Sequence, residues 1–202
     1  MRVKDRVCYW TERFDREFAD GRIHRLHQED FCQICGISGE LKYESEGGPS
    51  FLRCMAVLQE MKLSLADRFA FIDRMIYNYL IGNADAHGKN SSVLYRGKTG
   101  KHLAPIYDVM STAVYPNLSR VNAMSIGGAR KFEEVTRTSF EAMAEEAGMR
   151  PQLAIDRLDR LAAKIVPAAQ ALARELSAKW PSELYAKIKA VVEKQVATVA
   201  KQ

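Results

Sequence analysis

Asp85-Ala86-His87-Gly88-Lys89-Asn90, followed by Tyr107-Asp108, is the stretch on which both the fold and the chemistry of this chain turn. An Asp and an Asn five positions apart, with a second Asp eighteen residues beyond the Asn, is the spacing of a phosphoryl-transfer loop. In that arrangement the first Asp receives or orients the acceptor hydroxyl and the Asn holds one Mg²⁺. The later Asp holds the ions that bridge the β- and γ-phosphates. The chemistry dictates these residue types, because it needs positioning and charge neutralisation more than covalent work. Mg²⁺ takes hard oxygen ligands, one or two of them carboxylates, and keeps several waters. On its own, D-x-x-x-x-N also occurs in ordinary polar loops.

The flanking sequence places this loop. Upstream, Ser64 to Ile81 carries apolar residues at Leu65, Phe69, Ile72, Ile76 and Leu80, which is a helical period. Ser64 and Asp67 resemble a capping box, and Gly82 is the expected stop. Downstream, Ser91 to Arg96 and His102 to Met110 read as two strands joined by the turn Gly97-Lys98-Thr99-Gly100. A helix, a polar loop and a short β-hairpin are thereby expected to gather Asp85, Asn90 and Asp108. His87 and Lys89 fall between the first two, within reach of phosphate oxygens; as loop side chains they could equally face water.

Toward the N-terminus, Arg6 to Glu12 reads as a strand (Val7, Cys8, Tyr9, Trp10), with Trp10 and Phe14 expected in the core. Glu29 to Cys35 reads as a short helix ended by Gly36, its first turn made acidic by Glu29 and Asp30. Lys42 to Pro49 is a glycine-rich loop with neither G-x-G-x-x-G nor a Walker pattern. The near-match to a Walker pattern at Gly82 to Asn90 has one residue too many and follows a helix, so it is rejected. Ser50 opens another helix, with Leu52, Met55, Ala56 and Leu58 on its apolar face. Residues 117–131 are polar and carry no assigned chemistry. The remainder is helical: Thr138 with Glu141 resembles a capping box, Gly148 and Pro151 separate two helices, residues 152–179 are amphipathic around Pro167, and Pro181-Ser182 starts the last helix.

The 202 residues suffice to bury a core. A hydrophobic fraction of 47% with 27% charged residues is that of a soluble globular protein. The net charge of +5 arises from dispersed basic residues, which leaves direct nucleic-acid binding open and otherwise reads as solvated helix faces. No secretory signal is evident, no run is long enough to span a bilayer, and the expected location is cytoplasmic. Four cysteines do not make a disulfide scaffold. His24-x-x-His27 with Cys32-x-x-Cys35 offers zinc-type ligands, but the four-residue gap between the pairs is far shorter than in zinc fingers, and core cysteines are preferred.

Six segments, in order, resemble the HipA family of bacterial serine/threonine protein kinases, the toxins of toxin–antitoxin pairs: Glu12-Arg13-Phe14-Asp15-Arg16, Gln28-Glu29-Asp30, Lys42 to Pro49, Leu80-Ile81-Gly82, Asp85-x-His87-x-Lys89-Asn90 and Pro105-Ile106-Tyr107-Asp108. The resemblance implies an α+β, mostly α-helical, protein-kinase-like C-terminal lobe with a short β-hairpin at the catalytic site. Residues 1–30 would be the hinge and start of the lobe, 31–130 the catalytic core and 131–202 a helical tail, while the N-terminal lobe would be absent. It further implies ATP and Mg²⁺: Asp85 catalytic, Lys89 and His87 near phosphate, and Asn90 and Asp108 on the metal. Backbone groups at Glu12 and Phe14 would meet the adenine edge, with Gln28 and Tyr107 beside the nucleoside. An antitoxin of the DNA-binding HipB type, a protein substrate and a separate N-lobe chain are the implied partners. An inactive lobe that only binds a partner, and a small-molecule phosphotransferase of the aminoglycoside-kinase type, are the competing readings.

Overall fold

The polypeptide starts in short antiparallel ribbons. The computed structural model describes residues 10–97 and 100–200, together with the backbone of 2–3 and 6–7. Strand β1 (Arg2–Val3) pairs with β2 (Arg6–Val7), and β3 (Arg16–Ala19) with β4 (Arg22–Arg25). The β3–β4 hairpin was not anticipated, although its signal is present. Asp20 and Gly21 take φ of 51° and 71°, the left-handed pair that a two-residue turn needs. The strand expected over Arg6–Glu12 extends only to Val7 within the described residues; Cys8 and Tyr9 lie outside them. Trp10 is exposed rather than packed into a core.

Gln28, Glu29 and Asp30 do not begin a helix. They belong to β5 (His27–Asp30), which pairs antiparallel with β6 (Ser92–Arg96), and β6 pairs in turn with β7 (Gly100–Leu103). The expected hairpin is therefore two strands of a three-stranded sheet. Helix α1 (Phe31–Ile34) starts only after the sheet: Asp30 caps it, accepting from Gln33 N at 2.9 Å while Gln33 Oε1 accepts from Asp30 N at 2.9 Å. The second arm of the hairpin is also shorter than expected. It ends at Leu103; Ala104 N still donates to the Ser92 carbonyl at 2.8 Å, and Pro105 after it has no N–H for a ladder. Asp108 thus sits in the segment beyond the sheet and not on a strand.

Helices α2 (Phe51–Glu60) and α3 (Leu65–Leu80) start where their caps predict. Ser50 Oγ accepts from Arg53 N at 3.2 Å, and Ser64 Oγ accepts from Asp67 N at 3.1 Å. Asp67 does not reach back to the cap backbone; its carboxylate takes the Ser64 hydroxyl and the Leu103 N–H, tying α3 to β7. The buried stripe of α3 is Phe71, Ile72, Met75, Ile76, Tyr79 and Leu80, whereas Leu65 at its start is exposed, as is Leu52 of α2. Phe31, Phe51 and Phe71 form the centre of this core, with ring centroids 5.1 Å and 5.8 Å apart.

Residues 117–131, unassigned from sequence, contain β8 (Val121–Ile126) and β9 (Ala129–Lys131), a hairpin turned by Gly127 and Gly128, with Ala123, Met124 and Ile126 buried. Helix α4 (Arg137–Glu146) is capped by Thr136 with Ser139, not by Thr138 with Glu141, because the helix begins at Arg137. Helix α5 (Pro151–Lys179) runs through Pro167 without a break, and α6 (Glu183–Val199) is capped by Ser182. Both pack against α3, and α4 packs on α5. Arg137 joins this tail to itself through Asp159 at 2.7 Å and the Val199 carbonyl at 3.1 Å. Among the described residues no helix is long and apolar enough to cross a membrane.

Gly82 ends α3 with φ of 68°, and a Cβ there would lie 2.6 Å from Val191 Cγ1 and 2.8 Å from Ala113 Cβ. Gly36 has a similar φ of 66° with open space around it. Gly36→Ala is therefore expected to cost about 1 kcal/mol of unfolding free energy, the backbone term alone. Gly82→Ala should cost roughly 3 kcal/mol, because overpacking adds to it. Urea denaturation of both variants checks the difference, and equal costs would show that α6 does not press on this turn.

Candidate active site

The turn after α3 is built by backbone geometry and then held by side chains. Gly82 N donates to the Tyr79 carbonyl at 2.9 Å and Asn83 N to the Asn78 carbonyl at 2.8 Å, a Schellman closure that swings the chain off the helix axis. The polar loop that follows is buried, so its amides need partners. Thr112 Oγ1 accepts from Ala84 N at 2.8 Å and donates to the Gly82 carbonyl at 3.1 Å. Asn83 Oδ1 accepts from Asp85 N at 3.1 Å, and its Nδ2 donates to Asn78 Oδ1 at 2.9 Å. Asn90 Nδ2 donates to the Asp85 carbonyl at 2.8 Å, closing the loop on itself.

The Lys42–Pro49 segment braces this loop from outside. Gly88 N donates to the Lys42 carbonyl at 3.3 Å, and a Cβ on Gly88 would fall 2.4 Å from Pro49 Cγ and 3.0 Å from Cys32 Sγ. Gly48 has no more room, since its Cβ would stand 2.5 Å from the Leu41 carbonyl. Glu44 reaches across to β8, accepting from Ser125 N at 2.5 Å and Ser125 Oγ at 2.9 Å. Cys32 and Cys54 are buried with thiol pKa values pushed up by burial, and His24 lies at the surface beside the Ala19 carbonyl at 3.3 Å.

Tyr43 delivers a hydroxyl that sequence reading did not single out. It donates to Asp85 Oδ1 at 2.5 Å, and its ring meets His87 edge-on with centroids 5.2 Å apart. Burial, then the bond to Asp85, pushes the phenol up to about 12, so the proton stays on the tyrosine. His87 is 5% exposed, with Nε2 3.7 Å from Asp85 Oδ1. Burial lowers its pKa most; Asp85 and Asp108 oppose that and Lys42 adds to it. The imidazole is thus neutral at pH 7 and leaves Asp85 without a formal counter-charge.

The remaining predicted residues are distributed around this centre. Tyr107 OH donates to the Lys89 carbonyl at 2.7 Å, which ties the segment carrying Asp108 to the loop carrying Asn90. Asp108 is exposed, holds φ of 52°, and lies close enough to His87 and Tyr107 for its charge to act on both. Phe14 stacks on Tyr107 at 5.7 Å, tilted by 31°. Just beyond it Asp15 is buried, and its hydrogen bonds to Arg13 at 2.6 Å and 2.8 Å, with Arg16 at 2.6 Å, hold its pKa near about 2. Gln28 lies half-buried on β5 opposite Leu94, on the same sheet face as Asp30 and Ser92. Glu12 is exposed, and no side-chain contact brings it to this group. Lys89 is exposed, with its ammonium over Gly39, 3.3 Å from where a Cβ would be, so its side chain is not directed at Asp85.

With its amide nitrogen committed, Asn90 presents Oδ1 as an acceptor, and Asp108 offers a carboxylate. Two hard oxygen donors, not a protein cage, suit an ion that completes its shell with water and phosphate. The donor set therefore fits Mg²⁺. A cleft of about 450 Å³ opens beside Asp85, between Tyr43 and Glu46 on one side and Met110, Leu118 and Val121 on the other.

Because folding favours neutral His87, its folded pKa lies under 6.5. Its contribution to stability is fully present above that value and is lost as pH falls through the lower folded pKa. The urea midpoint should accordingly fall between about pH 7 and 5, and His87→Gln should flatten that part of the profile. An unchanged profile would place His87 in water.

Residues 1–169 match the profile of the HipA-like C-terminal domain. The putative kinase Y4mE of Sinorhizobium fredii is 43% identical over 177 residues, which are 87% of this chain and 41% of that protein. The serine/threonine-protein kinase toxin HipA of Shewanella oneidensis is 31% identical over 168 residues, 77% of this chain and 39% of its own length. A solved complex of Shewanella oneidensis HipA, HipB and operator DNA superposes with a TM-score of 0.76 at 30% identity, covering 92% of this chain and 46% of the solved one. The chain spans less than half the length of these relatives. Profile, relatives and superposition agree, and the chain belongs to the HipA-like C-terminal domain family.

Proposed function

We propose that this chain is the catalytic lobe of a HipA-like kinase that transfers the γ-phosphate of ATP to a serine or threonine of a protein. The observation that carries this reading is the pairing of two anchored segments. Asn90 folds back on Asp85, and Tyr107 bonds the Lys89 carbonyl, so the segment bearing Asp108 is tied to the loop bearing Asp85 and Asn90. The acceptor hydroxyl oxygen attacks the γ-phosphorus, and that O–P bond forms as the bond to the β,γ-bridging oxygen breaks. ADP leaves with that oxygen and the hydroxyl proton passes to Asp85. Tyr43 occupies Oδ1 of Asp85, which leaves Oδ2 to the acceptor. Neutral His87 prevents an ion pair that would weaken Asp85 as a proton acceptor.

Asn90 Oδ1 and the Asp108 carboxylate are the groups that would hold Mg²⁺, which neutralises charge on the transferring phosphates. Phe14, Tyr107 and Gln28, with backbone at Glu12 and Phe14, would frame the nucleoside. His87 lies in the loop beside Asp85, whereas Lys89, with its ammonium over Gly39, would have to swing round to meet a phosphate. Phosphoryl transfer also needs a glycine-rich cover over the phosphates and a strand lysine; here a second lobe, joined or separate, supplies them. The HipA–HipB–operator DNA complex supports an antitoxin of the HipB kind as partner.

Calorimetric titration of Mg²⁺–ATP should give heat with this chain and much less with Asp108→Ala; equal heats would remove the nucleotide site from this place. With a HipA N-lobe supplied, Asp85→Asn should lower phosphate transfer to protein roughly 10³-fold. Binding without transfer by either protein would favour the partner-binding lobe instead.

A further inference from the structure

Helices α5 and α6 leave a groove of about 360 Å³ between them, over the end of α3. Tyr77 and Ile81 contribute from α3 and its cap, Ile165, Leu172 and Leu176 from α5, and Ile188 from α6. That volume lies at the lower end of the roughly 300–1,000 Å³ that small-molecule sites span. Leu172 is 54% exposed, so apolar lining meets water here. Two charged side chains line the groove, Lys164 on α5 and Lys189 on α6, and no acidic residue does. Neither ammonium is paired with a carboxylate among the described residues; the lysine pairs of this tail are Lys179 with Glu175 and Lys187 with Glu183. Lys189 is half-buried, and a cation drawn partly out of water beside apolar walls gains from an anion at the same place. Tyr77 and Tyr185 bring hydroxyl donors to the same lining.

From this combination of an apolar trough and two unpaired lysines on facing helices, we propose that the α3–α5–α6 groove binds a single-chain anionic amphiphile. Its alkyl tail lies along Ile165, Leu172 and Ile188, and its carboxylate meets Lys164 and Lys189. Burial of the tail supplies affinity in proportion to its length, and the lysines select the sign of the head group. A partner helix is a poorer occupant: it is about 10 Å across with its side chains, and two turns of it fill roughly 850 Å³, more than twice this groove. A second copy docked through the same face would set Lys164 and Lys189 against their own equivalents, with no acidic lining to offset them. The groove shares no lining residue with the cleft at Asp85, so failure here leaves the kinase reading untouched.

Calorimetric titration of dodecanoate into this chain at low salt, below the micelle-forming concentration, should give saturable binding at one site. Octanoate, shorter by four methylenes, should bind more weakly by roughly tenfold or more, since each buried methylene is worth about fourfold. Dodecyltrimethylammonium, with the same tail and the opposite charge, should also bind roughly tenfold more weakly than dodecanoate. The double variant Lys164→Met and Lys189→Met keeps apolar stems and removes both charges, so it should erase the difference between the two head groups. Ala169→Trp, which fills the groove from α5, should abolish dodecanoate binding while the circular dichroism of the helices is kept. Binding that ignores tail length, or a head-group preference that survives loss of both lysines, would overturn the site, and so would full binding by a folded Ala169→Trp protein. Should Ala169→Trp unfold, the lysine pair and the two head groups decide. Absence of dodecanoate binding, together with a dimer in sedimentation that the lysine variant strengthens, would overturn it in favour of a second copy as the occupant.

Discussion

A polar loop buried inside a mostly helical protein has to find partners for every amide it removes from water, and the arrangement of this chain follows from how residues 82–91 do so. Neither a helix nor a sheet is available there, so side chains substitute for secondary structure. Asn78, Asn83, Thr112 and Asn90 each bond backbone of the loop, or a residue that does. A buried amide left unpaired costs about 1–3 kcal/mol, so these contacts decide whether the loop has one shape or many. Thr112 is reached only because the chain returns after β7, which makes the turn after α3 depend on a segment thirty residues away.

The electrostatics of the site grow out of the same burial. His87 is neutral because desolvation outweighs the pull of two carboxylates. Tyr43 stays protonated for a related reason and can act only as a donor to Asp85. Asp85 therefore sits between a fixed hydrogen-bond donor and an uncharged ring, 40% of its side chain open to the cleft. This arrangement leaves the Asp85 carboxylate reachable without pairing it to a cation.

Support from further out is largely aromatic and helical. Phe31, Phe51 and Phe71 seat α1, α2 and α3 together, while Tyr79 bridges Phe132 and Phe140 at 6.0 Å and 5.6 Å. Arg74 of α3 is buried and donates to Ser91 Oγ at 3.0 Å and the Ala104 carbonyl at 2.6 Å, and burial lowers its pKa to about 10. It fixes the end of the loop against the start of the segment that carries Asp108. The long helices α5 and α6 close over α3, and Val191 presses on the turn at Gly82.

Local chemistry was legible from residue order alone wherever neighbours in sequence are also partners in space. Ser50, Ser64 and Ser182 announce their helices, and Gly82 announces a stop. The β3–β4 hairpin was missed although its turn is local, whereas other misread elements turned on a distant strand or a competing cap. Gln28–Asp30 is a strand because β6, more than sixty residues on, pairs with it; Thr136 rather than Thr138 caps α4; and β8 could not be seen without Glu44 waiting at Ser125. Tyr43 was quoted within a motif but given no role, because a tyrosine forty-two positions from Asp85 becomes its donor only when the glycines at 47, 48 and 88 allow two loops to touch. Sequence by itself determined the family and the long helices, since these follow from covalent neighbours and periodicity. Tertiary structure alone decided the third strand of the sheet, the protonation of His87 and the shape of the cleft, since pairing and desolvation are properties of residues brought together from far along the chain.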